Sequence, residues 1–238
     1  MACWALAVLL GSSTPLAADD ADALYANRTS LSDARRAAAV WQAQLTANGS
    51  DFTAASKLAR ASYWLGGHLE TEALRIAAFE SGMEAARKAV AAQPSRPDGY
   101  FWLAANMGGF AELKGMRAGL KYRSPIRENL QKVLAIDPAF QKGSPDRALG
   151  RWYFKVPGLF GGSNAKSEQH LRAALTYHPA SIVTRLFLAE TLADMRRKAE
   201  AITLLREIEA LPLDPDWAPE DREFKEQAKV MLATLQTR

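Results

Sequence analysis

The stretches ARKAVAAQP (residues 86–94), LQKVLAIDP (130–138) and LRAALTYHP (171–179) end alike, in an apolar turn closed by proline. Ala, Leu, Arg and Lys are strong helix formers. Proline pushes the residue before it out of the helical region, so each stretch reads as a helix end. After each proline a new apolar run begins within several residues, at 100–104, 147–150 and 186–189. The last of these continues through KAEAITLLREIEALP to Pro212.

This is the helix–turn–helix rhythm of a tetratricopeptide repeat. There a Leu-Gly or Leu-Ala step packs one helix closely on its neighbour, and an alanine in the second helix admits the first. The residues in those places are Leu103 and Ala104, then Leu149 and Gly150, then Leu188, Ala189 and Ala201, with Tyr100, Tyr153 and Leu205 beside them. The prolines stand 44 and 41 residues apart. A repeat period of about 34 therefore predicts insertions, near residues 108–124 and 155–164. Upstream, Ser50 or Asp51 caps a helix over 52–65 that Gly66-Gly67 stops, and a second helix runs over 72–93. Residues 32–47 read as a further helix, with Ser30 and Asp33 fitting a capping box. Residues 219–237 read as a closing helix with an apolar stripe of Phe224, Ala228, Met231, Leu232 and Leu235. The expectation is an all-α, tetratricopeptide-like α-solenoid of about ten helices in one domain over residues 30–237, without a sheet. A non-repeat α-bundle is the alternative.

Composition narrows the chemistry. Of 238 residues, 48% are hydrophobic and 24% charged, which suits a globular chain. One cysteine, Cys3, and three histidines exclude an intrachain disulfide and a cysteine-based zinc site. Residues 1–18, MACWALAVLLGSSTPLAA, carry no charge and end in small residues, the anatomy of a secretory signal peptide. The usual basic residue before the apolar run is missing, so a start a few codons upstream is expected. The run is too short to span a bilayer. Cys3 precedes the run, which argues against lipid attachment.

Catalytic patterns are not met. GLFGGSNAKS (158–167) has Phe160 and Ala165 where a phosphate loop needs glycine. Gly161 and Gly162 read instead as a tight turn, with Ser163 or Asn164 capping the next helix. No G-x-S-x-G or H-E-x-x-H stands in the chain, so no enzyme, cofactor or metal is expected. Residues 113–155 hold ten basic side chains against three acidic ones. That stretch reads as a solvated face or as an anion or carboxylate site, and nucleic acid is the weakest reading. The helix at 100–110, the loop after it and the stretch 147–162 are expected to line a shared cavity. Trp102, Asn106, Trp152, Tyr153 and Phe154 supply its wall. Arg147 and Arg151, four apart, project from one helix face and could hold one carboxylate.

GSPDRALGRWYFKVPGLFGGSNAKSEQHLRAAL (143–175) is similar to the signature stretch of the T-component (TatT-like) family associated with TRAP transporters, with Arg147, Leu149, Gly150, Tyr153, Pro157, Gly158, Gly161 and Ala165 in the matching places. GYFWLAANMGGFAELKG (99–115) resembles the preceding helix of that family. The same layout resembles eukaryotic microtubule-dynamics regulators with degenerate tetratricopeptide repeats. The first resemblance implies a periplasmic, non-catalytic homo-oligomer. Such a protein passes a small carboxylate-bearing or apolar ligand to the solute-binding protein of a transporter. The alternative is a general protein–protein scaffold in the periplasm. Members of that family are commonly lipoproteins, and Cys3 is misplaced for that, so a membrane tether is not assigned.

Overall fold

The computed structural model describes residues 20–237. The proposed signal segment, 1–18, lies outside them. Eleven α-helices and no strand are found among the described residues. They are α1 (Ala21–Ala26), α2 (Leu31–Ala47), α3 (Phe52–His68), α4 (Glu72–Ala92), α5 (Pro97–Lys114), α6 (Met116–Ile136), α7 (Phe140–Lys155), α8 (Asn164–Tyr177), α9 (Ile182–Asp194), α10 (Lys198–Ala210) and α11 (Ala218–Thr237). One turn of 3-10 helix, Gly158–Phe160, joins α7 to α8.

Local chemistry sets the boundaries. Asp20, Ser30, Asp51, Thr71, Ser163 and Ser181 each accept a hydrogen bond from a backbone N–H of the following first turn, satisfying donors that the helix leaves orphaned. Pro97 opens α5, where its missing N–H costs nothing. The Ser30 hydroxyl accepts from Asp33 N at 3.3 Å, whereas the Asp33 carboxylate takes the Asn27 amide, so the expected box is half formed.

Helices α3/α4, α5/α6, α7/α8 and α9/α10 pair as successive hairpins. Their first members, α3, α5, α7 and α9, also touch one another in order, and α11 continues the series against α9. They form the inner layer of the helical stack, and α2, α4, α6, α8 and α10 form the outer layer. Leu103, Ala104, Leu149, Leu188, Ala189 and Ala201 are all buried. The core falls into two clusters, one running from α1 to α7 and one around α8 to α11. Gly150 of α7 lies against Leu171 of the second cluster, where a Cβ would stand 2.6 Å from Leu171 Cγ.

Three expectations are corrected. Gly66-Gly67 does not end α3, which runs on to His68. The Phe79 ring rests where a Gly66 Cβ would point, so that glycine serves close packing rather than termination. No loop fills 108–124: α5 and α6 simply run long, at 18 and 21 residues, and meet at Gly115 with φ +77. The helical body starts at Ala21 rather than near residue 30, because Asp20 caps a six-residue helix. The eleven helices agree with the expected count of about ten. The second extra length is a true loop at 156–163, where Gly161 takes φ +102 and Gly162 packs on the Val156 carbonyl.

Candidate functional site

The inner layer brings together only part of the set expected from sequence. Trp102 and Asn106 are buried between α3, α4 and α5. The Asn106 amide donates to the carbonyls of Ala59 at 3.0 Å and Trp102 at 2.8 Å, while its Oδ1, facing Gly82, accepts nothing. The Trp152 indole donates to the Arg123 carbonyl at 2.8 Å. Tyr153 stacks on His170, whose ring meets the Asp146 carboxylate at 2.7 Å. These four residues therefore sit in contacts between helices. Leu159, in the loop expected to close a cavity with them, is 90% exposed.

Arg147, Arg151 and Phe154 do lie together on α7. The Arg151 guanidinium packs over Phe187 at 4.2 Å and Phe154 at 5.6 Å, and it is ion-paired to Glu190 of α9. Arg151 thus already holds a carboxylate of its own chain. Arg147 donates to Ser144 Oγ, and no carboxylate of the described residues lies within ion-pair distance of it. Burial pushes its guanidinium pKa down to about 10, against the opposing pull of Tyr63 and Asp221.

The densest constellation lies elsewhere. From the end of α10 into the first turns of α11 the chain runs as LPLDPDWAPEDRE, residues 211–223, with five carboxylates and one arginine. This strap crosses from the last repeat back to the first. Arg28, at the α1–α2 corner and 4% exposed, donates through Nε and Nη2 to the two carboxylate oxygens of Glu220, at 2.9 and 2.5 Å, and through Nη2 to the Asp216 carbonyl. The Trp64 indole holds the Arg28 carbonyl at 2.8 Å. Lys142 reaches Asp214 and Asp216, at 2.6 and 3.1 Å. His68 Nε2 meets Glu223 at 2.9 Å. Arg60 lies between the Tyr25 and Trp217 rings, 4.8 and 5.2 Å from their centroids.

These contacts border an open cavity of about 600 Å³ lined by α1, α3, the start of α7 and the strap. At its wall Gln141 and Lys142 adopt left-handed backbone, φ 45 and 60, followed by Gly143 at φ 81. Non-glycine residues hold such conformations at a cost of order 1–3 kcal/mol each, usually where surrounding structure needs the side chain placed. None of Tyr25, Arg28, Arg60, Gln141 or Trp217 stands out in sequence. Arg28 and Glu220 are 192 residues apart, and no local periodicity connects them.

Comparison with known proteins matches this architecture. A thermophilic tetratricopeptide protein of Thermus thermophilus superposes with a TM-score of 0.66 at 20% identity, covering 93% of this chain and 100% of its own. MamA superposes with a TM-score of 0.53 at 15% identity, covering 89% and 99%. Human IFIT1, solved as a dimer with PPP-AAAA, superposes with a TM-score of 0.58 at 18% identity, and the match takes in 86% of this chain and 42% of IFIT1. These likenesses establish a degenerate tetratricopeptide fold. Among curated proteins no sequence matches the chain. The T-component resemblance of residues 143–175 is not confirmed by these findings, whereas the second resemblance is. The family model for regulator of microtubule dynamics protein 1-3 matches residues 17–160, more than half of the chain, and the chain belongs to that family.

Proposed function

We propose that the chain is a non-catalytic interaction scaffold whose strap-binding surface holds an acidic segment of a protein partner. The observation that carries this reading is the strap itself. Arg28, Lys142 and His68 already take its carboxylates, and Arg60 takes the face of its tryptophan. A partner segment of the same chemistry replaces the strap. The test is a labelled peptide copying residues 211–223, titrated by fluorescence anisotropy into a variant loosened by Trp217→Ala and Glu220→Ala. Binding at least tenfold tighter than to the unaltered protein is expected. Salt should weaken it, because these ion pairs are partly exposed and screened. A folded, loosened variant that takes up no peptide overturns the reading.

A narrower form makes that partner the solute-binding protein of a TRAP-type transporter, met after export. Its support is the resemblance of residues 143–175, the uncharged apolar run at 1–18, and Arg147, whose guanidinium has no carboxylate partner and could receive a small carboxylate-bearing ligand. Arg147→Gln should lower retention of a co-purifying acidic ligand in native mass spectrometry without unfolding the protein. Residues 1–25 should export a periplasm-dependent reporter. Failure of both removes the transporter role and leaves the scaffold reading standing.

A further inference from the structure

Successive helices alternate in direction, so the corners α3–α4, α5–α6, α7–α8 and α9–α10 lie along one edge of the stack. Ion pairs between neighbouring corners agree with this. Lys114 of α5 meets Glu72 of α4 at 3.6 Å, and Lys155 of α7 meets Glu112 of α5 at 3.6 Å. Two apolar side chains project from this edge with almost no cover. Leu159, on the turn between α7 and α8, is 90% exposed, and Met116, at the start of α6, is 78% exposed. Phe160 is partly exposed beside Leu159, with the Arg123 guanidinium 5.7 Å from its ring centroid.

The turn that carries Leu159 is tied down. The Phe160 and Gly162 amides donate to the Pro157 carbonyl, and the Ser163 amide donates to the Tyr153 carbonyl at 2.9 Å. A Cβ on Gly162 would stand 1.6 Å from the Val156 carbonyl oxygen, so the return to α8 needs glycine there. The backbone therefore holds Leu159 out toward solvent.

Unneutralised charge lies beside these tips. The half of α6 next to the turn carries Arg117, Lys121, Arg123 and Arg127 and no carboxylate. Among the described residues no carboxylate lies within ion-pair distance of any of the four. Lys114 and Lys155 at the same corners are, by contrast, already paired. Apolar groups rimmed by charge mark a contact surface.

We propose that this edge docks on the surface of a bilayer with anionic headgroups. Leu159 and Met116 enter the interface, and Arg117, Lys121 and Arg123 meet the headgroups. The two apolar tips are convex and stand on separate corners. A protein partner would need a shaped pocket for each, whereas a fluid interface receives both without one. Apolar insertion and attraction to anionic lipid then add. No helix of the described residues is long and apolar enough to cross a membrane, so the contact is peripheral. The edge shares no residue with the strap-binding surface, so its test is independent of the peptide reading.

The test is sedimentation of the full chain with vesicles of phosphatidylcholine alone, and of phosphatidylcholine with about 30% phosphatidylglycerol. Preferential binding to the anionic vesicles is expected, and about 0.5 M salt should release it, because exposed charges are screened. Leu159→Ser should weaken anionic binding about tenfold, and Arg117→Gln combined with Lys121→Gln at least as much. These side chains are exposed, so each variant should keep the thermal midpoint of the unaltered protein. Residues 1–18 are the same in every variant, so differences between variants report the edge alone. Soluble polyglutamate is the counter-probe. If it binds as tightly as the anionic vesicles and Leu159→Ser changes neither, the edge takes an acidic protein and the proposal is overturned. It is also overturned if neutral and anionic vesicles take up the chain equally, or if the variants bind like the unaltered protein.

Discussion

Glycine has opposite meanings along this chain, and what a Cβ would meet decides which. At Gly150 a Cβ would come within 2.6 Å of Leu171 Cγ and 3.2 Å of the Ser167 carbonyl, at the seam between the two core clusters. Gly150→Ala should therefore overpack α7 against α8 and lower stability by about 1–3 kcal/mol in urea unfolding. At Gly108 and Gly119, inside α5 and α6, a Cβ would meet nothing within 4 Å. There the change to Ala restricts the unfolded chain and should add about 0.5–1 kcal/mol. A set in which all three changes move stability the same way contradicts this placement. The sequence shows Gly150 as a packing residue because it sits in a repeat register. It cannot show that Gly66 and Gly109 face one ring, Phe79, since that ring belongs to a third helix, α4. Read as a breaker, Gly66 gives the expected stop after 65, while the insertion expected at 108–124 rests on proline spacing, which does not distinguish a loop from two lengthened helices.

At the scale of elements, two histidines tie helices to the strap and are tuned in opposite directions. His68 ends α3. Its Nδ1 faces the Trp64 carbonyl at 2.7 Å and its Nε2 faces Glu223 at 2.9 Å. Two acceptors suit the imidazolium, which donates from both nitrogens. Burial works against the charge, but the Glu223 carboxylate and the Trp64 carbonyl outweigh it and raise the pKa above the ordinary value. His178 closes α8, 3.6 Å from Asp214. Burial, helped by Lys142 and Arg147, lowers its pKa despite that carboxylate. The folded state thus binds more protons than the unfolded one at His68 and fewer at His178. Stability rises as pH falls through the raised His68 pKa toward about 6.5, then falls as pH drops below that through the lowered His178 pKa. Thermal midpoints across about pH 5–8 should show a local maximum near pH 6.5, and His178→Gln should remove its acid side. Proton NMR should find the two rings titrating on opposite sides of the ordinary value. The helices themselves are largely legible in the sequence, because caps and prolines act within a few residues. Helix α1 is not, being six residues long and too short to display a period.

For the whole molecule, the deciding feature is that the last repeat returns to the first. A stack of hairpins needs contacts only between neighbours, yet the strap joins α11 to the α1–α2 corner and to α3. The sequence can show repeat units, since each is local. It cannot show this closure, because LPLDPDWAP reads as a linker between two helices and its partners lie in units read separately. The cavity under the strap escapes sequence reading for the same reason: Arg60, Gln141 and Trp217 come from three distant segments. Glu220→Ala tests the closure. It leaves the Arg28 guanidinium, 4% exposed, without its carboxylate. Removing one partner of a buried pair costs about 3–5 kcal/mol, and the 19% exposure of Glu220 places the expected loss near the lower end of that range. Hydrogen exchange should quicken in residues 211–223 and at the α1–α2 corner, while α5 to α8 keep their protection. Glu226→Ala serves as the control, because its pair with Lys229 is exposed on both sides and stays within one helix. If the two changes cost the same, or if exchange quickens evenly along the chain, the strap does not close the molecule and α11 is an ordinary terminal cap.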